Sequence, residues 1–246
     1  MLIFVQHFKL YMNTVIIVAG GRGKRMQKTT PKQFLILGGM PVLMRTINCF
    51  YNYDNSIRII LVLPKDEIST WEKLCVNYKF ETAHTIVEGG EERFYSVQNA
   101  LKLVGNNQLV AIHDGVRPFV SNTTIQNCFS QAEINGSAIP VVSLAESLRY
   151  CENEINKSVN RLNYKRVQTP QVFKSEIILA AYTQPFSNEF TDDASVVEKM
   201  GYHIHTISGN EENIKITTPL DMLVGEALVK NISRYSISLK GVIPNS

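Results

Sequence analysis

Cysteine is scarce in this 246-residue chain and widely spread. There are four, Cys49, Cys75, Cys128 and Cys151, and no C-x-x-C pair. That spacing argues against a disulfide framework or a zinc ribbon. The first three fall in apolar helical patterns and read as buried thiols, which suits a reducing cytoplasm. Long apolar runs are missing as well. Met1 to Val5 is too short for a membrane span and lacks the basic flank and cleavage site of a secretory signal. Basic residues form no run of five or more and net charge is only +3, so nucleic-acid binding has little support. Repeats, low-complexity tracts and linkers are absent. Two common phosphate fingerprints are absent too. Nothing reads G-x-x-x-x-G-K-[ST], and a G-x-G-x-x-G counted from Gly21 fails at Met26.

What is present is an ordinary globular balance, 44% hydrophobic and 19% charged, which predicts a sizeable core. The organising stretch is Val15 to Phe34. Val15-Ile16-Ile17-Val18 reads as a buried parallel strand. Gly20, Gly21 and Gly23 follow at once, where the backbone can turn sharply and aim its N–H groups at an anion. Lys24, Arg25 and Lys32 add spaced cations. Together these suit a polyphosphate at the carboxyl end of a sheet; a tight turn with solvated lysines is the plainer alternative. Residues 1–11 read as an extension before the first strand, residues 12–235 as one domain and 236–246 as a tail.

Farther along, helical and strand patterns alternate. Pro41 opens a helix through Phe50. Ile57 to Leu63 reads as a strand, Lys65 to Tyr78 as a helix and Thr85 to Val87 as a short strand. Glu91 to Val104 is helical, Leu109 to Ile112 a strand, Asn122 to Asn135 a helix and Ala138 to Val142 a strand. This alternation predicts an α/β fold, a mostly parallel sheet with helices on both faces. From about residue 143 to 168 the pattern turns polar and reads as a projecting β-arm or a solvated insertion. Then come a helix at Ile177 to Tyr182 and another at Asp192 to Met200 with Thr191 as N-cap. A strand at His203 to Ile207, a short one at Ile214 to Thr217 and a helix from Pro219 through Ile232 complete the reading.

Three further patches carry candidate chemistry. Gly89-Gly90-Glu91-Glu92-Arg93 with Ser96 offers free N–H groups at a helix start, though acidic residues balancing a helix dipole explain it alone. Asp114, after an apolar strand, suits Mg²⁺, which takes one or two carboxylates and completes its shell with water and phosphate; an Asp114–Arg117 ion pair bracing the turn is the rival account. Lys215 interrupts an apolar run, so its ammonium must meet an anion or water.

Seven ordered blocks, A-G-G-R-G-K-R-M, P-K-Q-F, G-G-E-E-R-F-Y-S-V, H-D-G-V-R-P, T-P-Q-V-F, T-D-D-A-S and N-I-K-I-T-T-P, resemble the 2-C-methyl-D-erythritol 4-phosphate cytidylyltransferase family from about Thr14 to Lys230. The resemblance implies a Rossmann-like nucleotidyltransferase fold with an arm. It also implies transfer of a cytidylyl group from CTP to a polyol phosphate with Mg²⁺ as cofactor. By position, Arg25 and Lys32 correspond to transition-state stabilisers and Gly20, Gly21 and Gly23 to the triphosphate loop. Gly90, Glu91 and Ser96 fall at the base and ribose, and Asp114 at the metal. Arg161, Lys215, Thr191 and Ser147 fall at the acceptor. In the family the arm joins a homodimer, so Arg161 would serve the neighbour's site. Two departures stand out: Glu146-Ser147-Leu148-Arg149 replaces the family's Asp-Thr-[Ile/Met]-Lys, and His113-Asp114-Gly115-Val116 its His-Asp-Ala-Ala.

Three rivals share parts of this pattern. A ribitol 5-phosphate cytidylyltransferase shares fold and nucleotide site, but such relatives more often carry other residues at Lys24, at Asn99-Ala100 and at Lys165-Arg166. A non-catalytic nucleotide-binding protein would be suggested by loss of Arg25, Lys32 or Asp114, all of which are present. A nicotinamide dehydrogenase is disfavoured by the missing third glycine.

Overall fold

The computed structural model describes residues 11–20 and 30–240. Within them the strands are β1 (Met12–Val18), β2 (Ile36–Leu37), β3 (Met40–Pro41), β4 (Arg58–Leu63), β5 (Thr85–Glu88), β6 (Gln108–Asp114), β7 (Ser137–Ser143), β8 (Leu148–Glu152), β9 (Ile155–Val159), β10 (Lys165–Val167), β11 (Gln171–Lys174) and β12 (Thr206–Ser208). The helices are α1 (Val42–Tyr53), α2 (Lys65–Tyr78), α3 (Arg93–Leu101), α4 (Asn122–Asn135), α5 (Ser175–Ala181), α6 (Asp193–Lys199) and α7 (Pro219–Lys240).

Period-two alternation in the strands splits the core into two layers. Val15 and Ile17 of β1, with Ile59, Leu61 and Leu63 of β4, meet Leu43, Ile47 and Phe50 of α1, Trp71 of α2 and Ile125 and Phe129 of α4. Ile16, Ile60, Val110 and Ile112 point the other way, onto Phe94 and Val97 of α3, Ile178 of α5 and Val197 of α6. A strand buried on both faces must be apolar throughout, which is why β1, β4 and β6 read as continuous runs.

The main sheet runs β10-β7-β11-β6-β1-β4-β5, with β12 alongside β7. Strands β6, β1, β4 and β5 are parallel, and β11 inserts antiparallel between β6 and β7. From β1 the chain builds outward through β4 and β5, then returns to β6 on the other side of β1. The strand order therefore reverses at the β1–β6 pair, where open α/β sheets bind ligands. Val18 and Asp114 are register partners at the carboxyl ends of that pair.

Local signals explain the best-matched elements. The bounds expected for α2 and α4 are those observed. Ser121 caps α4 by accepting from the Thr124 N–H at 3.1 Å. Gly136, with φ of 87°, closes it by donating to the Ala132 carbonyl.

Other expectations need correction. Thr191 does not cap α6. Asp192 does, accepting from the Ser195 N–H while the Ser195 hydroxyl accepts from the Asp192 N–H, a reciprocal capping box. His113 and Asp114 lie inside β6 rather than after it, and α3 starts at Arg93, leaving Glu91 and Glu92 ahead of it. Ile214 to Thr217 forms no strand; Ile216 N–H donates to the Val116 carbonyl and Ile214 N–H to the nearby Glu212 carbonyl, with no ladder to a neighbouring strand among the described residues. The strand expected from His203 narrows to β12, and α7 runs on past Ile232. β10 and β11 were not foreseen. Because β10 pairs with β7, the segment outside the main sheet is shorter than residues 143–168. It consists of the β8–β9 hairpin, an exposed two-stranded sheet of its own. Among the described residues no helix is long and apolar enough to cross a membrane.

Candidate active site

Four strand ends and the segment before α7 build the site. A cavity of about 260 Å³ opens at the carboxyl end of the parallel strands, bounded by Gly20, Lys32, Gly90, Glu91, Ser96, Asp114 and Lys215. Backbone bonds hold its rim. Ala19 N–H donates to the Val62 carbonyl at 3.0 Å, Gly89 N–H to Leu63 at 2.8 Å and Gly115 N–H to Val18 at 2.8 Å. Gly90 donates its N–H to the Ser96 hydroxyl at 3.1 Å. Glycine is required at 90 by proximity: a Cβ there would collide with the Tyr95 Cβ and come within 3.1 Å of the Tyr95 carbonyl carbon.

Asp114 is buried, yet its carboxylate is held by cations. Arg117 Nε donates to Oδ2 at 2.9 Å, and Lys215 Nζ lies 3.1 Å from the same oxygen. Burial alone would raise the Asp114 pKa. Lys215, Arg93 and Arg117 overcome that and hold it well below the usual carboxylate range. Arg117 also donates Nη1 to the Asn213 carbonyl at 2.9 Å. With Ile216 buried beside Val42 and Phe119, this carries Lys215 to the carboxylate while its side chain stays 42% exposed.

A hydrogen-bond chain fixes the strand end behind Asp114. The Asp114 N–H donates to Thr169 Oγ1 at 3.1 Å, Thr169 Oγ1 donates to His113 Nδ1 at 3.0 Å, and His113 Nε2 donates to the Arg117 carbonyl at 3.1 Å. A carbonyl only accepts, so Nε2 carries the proton and the ring is neutral. Burial lowers the His113 pKa to about 4.

A second cavity of about 300 Å³ lies on the far side of Asp114, bounded by Arg117, Gln168, Thr169, Gln171, Thr191 and Asp192. It shares Arg93, Asp114 and Lys215 with the first, so those three side chains form a common wall.

The expected site residues therefore divide. Gly20, Lys32, Gly90, Glu91, Ser96, Asp114 and Lys215 converge on one cavity, and Thr191 lines its neighbour. Ser147 and Arg161 line neither; both are exposed beside the hairpin, where the Arg161 guanidinium donates to the Ala145 carbonyl. Arg25, Gly21 and Gly23 lie outside the described residues. The Asp114–Arg117 ion pair of the rival account is present, in the wall of the cavity. Sequence reasoning gave no role to Arg93, Thr169 or Gln171. Arg93 stood inside the G-G-E-E-R block, but its partner Asp193 is a hundred residues away, and no local pattern announces that pairing.

A mixed sheet with a cation-ringed aspartate between two cavities at its switch point is the arrangement of a nucleotidyltransferase. The family model for 2-C-methyl-D-erythritol 4-phosphate cytidylyltransferase matches residues 13–231. Proteins of that name from Bacteroides fragilis and Bacteroides thetaiotaomicron are 50% and 51% identical over 216 residues, covering 88% of this chain and 99% of each relative. The crystal structure of 4-diphosphocytidyl-2C-methyl-D-erythritol synthase from Anaerococcus prevotii is similar at TM-score 0.75 and 26% identity, covering 89% of this chain and 99% of that one. The crystal structure of 2-C-methyl-D-erythritol 4-phosphate cytidylyltransferase from Thermus thermophilus is similar at TM-score 0.73 and 28% identity, with the same coverage. The chain belongs to the 2-C-methyl-D-erythritol 4-phosphate cytidylyltransferase family, enzymes of isoprenoid precursor synthesis.

Proposed function

We propose that this chain transfers the cytidylyl group of CTP to 2-C-methyl-D-erythritol 4-phosphate, giving 4-diphosphocytidyl-2-C-methyl-D-erythritol and pyrophosphate. The observation that carries this reading is the common wall of Arg93, Asp114 and Lys215 between the two cavities. CTP fits the first, its base and ribose near Gly90, Glu91 and Ser96 and its phosphates toward Gly20. The acceptor fits the second, beside Thr191. The α-phosphorus then lies at the wall, where an acceptor phosphate oxygen approaches it in line with the departing pyrophosphate. Negative charge grows on the five-coordinate phosphorus, and preset cations lower that barrier without reorganising. Lys32, Lys215 and Arg25 supply them, with Arg25 and Lys32 stabilising the transition state.

The residues present fit Mg²⁺. Both Lys215 and Arg117 engage Oδ2 of Asp114, and among the described residues no hydrogen bond reaches Oδ1, so one carboxylate oxygen is available. Among the described residues no cluster of three or more His, Cys, Asp or Glu exists; a metal here would take Asp114 plus phosphate oxygens, the usual Mg²⁺ pattern. When bound, Mg²⁺ neutralises charge on the phosphates.

The exposed hairpin, with Arg161 and Ser147 outside both cavities, supports a homodimer in which these residues complete the partner's acceptor site. The scarcity of cysteine pairs supports a cytoplasmic location. The test is pyrophosphate release with CTP and Mg²⁺, offering methylerythritol 4-phosphate and ribitol 5-phosphate side by side. Strong preference for the first is expected. Preference for ribitol phosphate would overturn the acceptor, and silence with both would overturn the enzymatic reading.

A further inference from the structure

Arg93, the first residue of α3, and Asp193, the first residue of α6, meet across the site in a two-pronged ion pair. Nη1 donates to Oδ1 at 3.0 Å and Nη2 to Oδ2 at 2.6 Å. Asp193 is completely buried. The Tyr182 hydroxyl donates to its Oδ1 at 2.6 Å, and the Tyr182 ring stacks on Phe94 with centroids 4.7 Å apart. Burying a carboxylate is costly unless paired this fully.

The two elements so joined serve different cavities. The segment leading into α3 carries Gly90 and Glu91, and α3 itself Ser96, on the nucleotide side. The segment leading into α6 carries Thr191 and Asp192 on the acceptor side. Gln171 secures the second segment to β11 through an amide that donates to Asp192 Oδ2 at 2.7 Å and accepts from the Ala194 N–H at 2.8 Å.

We propose that Asp193 is a positioning residue for the transfer reaction: by fixing the Arg93 guanidinium in the wall shared by the two cavities, it sets the spacing between bound nucleotide and bound acceptor. This rests on reading the cavities as nucleotide and acceptor sides. The in-line reaction tolerates little misplacement, and an error near 1 Å costs about a hundredfold in rate. The nucleotide cavity is also bounded by the ends of β1 and β6 and by Gly90 after β5, and the Asp193 carboxylate engages Arg93 and Tyr182 rather than any of these. Asp193 therefore controls alignment more than nucleotide affinity.

The experiment compares wild type with Asp193→Asn, Arg93→Gln, the double variant and Tyr182→Phe. It measures kcat from pyrophosphate release and CTP affinity by calorimetry without acceptor. Asp193→Asn is expected to lower kcat by about 10- to 100-fold while the Kd for CTP stays within about threefold. In the Arg93→Gln background the same change is expected to add less than about twofold, because it acts through Arg93. Wild-type kcat in folded Asp193→Asn, or losses that multiply in the double variant, would overturn the proposal. If Asp193→Asn does not fold, Tyr182→Phe decides. It removes one hydrogen bond and keeps the stacked ring, and a fall in kcat with unchanged CTP affinity is expected; unchanged kcat would overturn the proposal. Absence of CTP binding by wild type would instead overturn the reading of the cavities.

Discussion

Nζ of Lys215 lies 3.1 Å from Oδ2 of Asp114. Arg117 engages the same oxygen through Nε at 2.9 Å, so one buried carboxylate holds two cations at the junction of two cavities. In the proposed reaction Asp114 would hold Lys215 toward a phosphate as well as offer an oxygen to the metal.

Replacing Lys215 tests that arrangement. Lys215→Ala removes the cation that the proposed reaction turns toward the transferred group, and kcat is expected to fall by about a hundredfold, the scale of losing one preset electrostatic contact. Lys215→Arg should restore part of it. Steady-state pyrophosphate release reads both, and a wild-type rate in Lys215→Ala would remove this residue from the mechanism.

Arg25 and Arg161 bear on assembly. Each single Ala variant is expected to be inactive. Mixing Arg25→Ala with Arg161→Ala protein should recover activity, since a heterodimer carries one site with both arginines. No recovery after demonstrated subunit exchange would end the shared-site model.

His113 makes the fold acid-sensitive. The unfolded chain takes up its imidazole proton near pH 6.5, whereas the folded protein does so only near pH 4. Between those values the unfolded state binds more protons. Stability that is complete above pH 6.5 is therefore lost as pH falls toward 4, by roughly 3 kcal/mol. Urea unfolding of the metal-free protein across this range measures it, and His113→Gln should show a flatter pH slope from a lower starting stability.

Gly90 allows no side chain. The Cβ of Gly90→Ala would strike Tyr95 and crowd its backbone, and relief by a backbone shift is expected to cost about 1–3 kcal/mol. Because the same residue rims the cavity proposed for the nucleotide, CTP affinity should fall as well. Thermal unfolding and calorimetry check the two effects separately.

Capping at Asp192 ties the stability of α6 to the second cavity, which Asp192 also lines. Asp192→Ala removes the acceptor for the Ser195 N–H and for the Gln171 amide. Stability is expected to drop by about 1–2 kcal/mol, with a rise in KM for the acceptor because Thr191 is the next residue. An unchanged melting temperature would contradict this account of the cap.

Much of this protein was readable along the chain because it depends on local periodicity. Val15 to Val18, Ile59 to Leu63 and Leu109 to Ile112 had to be apolar on both faces, and α4 carries its own start and stop signals in Ser121 and Gly136. The residues gathered at the strand ends, Gly20, Gly90 and Asp114, followed from the rule that ligands sit where parallel strands finish. The short pieces were not readable. β10 and β11 are three and four residues long, too few for a period to show, and their places are set by pairing with β7 and β6. The run Ile214 to Thr217 alternates like a strand, yet bonds to Val116 and from Arg117 to the adjoining Asn213 hold it as an irregular segment that brings Lys215 to Asp114.

The sequence by itself determined the class of fold, the candidate cations and the family, since each rests on neighbouring residues or on ordered blocks. Only the tertiary structure decided that Arg93 pairs with Asp193, that Thr169 bridges Asp114 to His113, and that Arg93, Asp114 and Lys215 form one wall between two cavities. The physical reason is the same in each case. A buried charge or polar group must find a partner, and which partner it finds depends on how sheet order and helix packing bring distant segments together, not on any spacing along the chain.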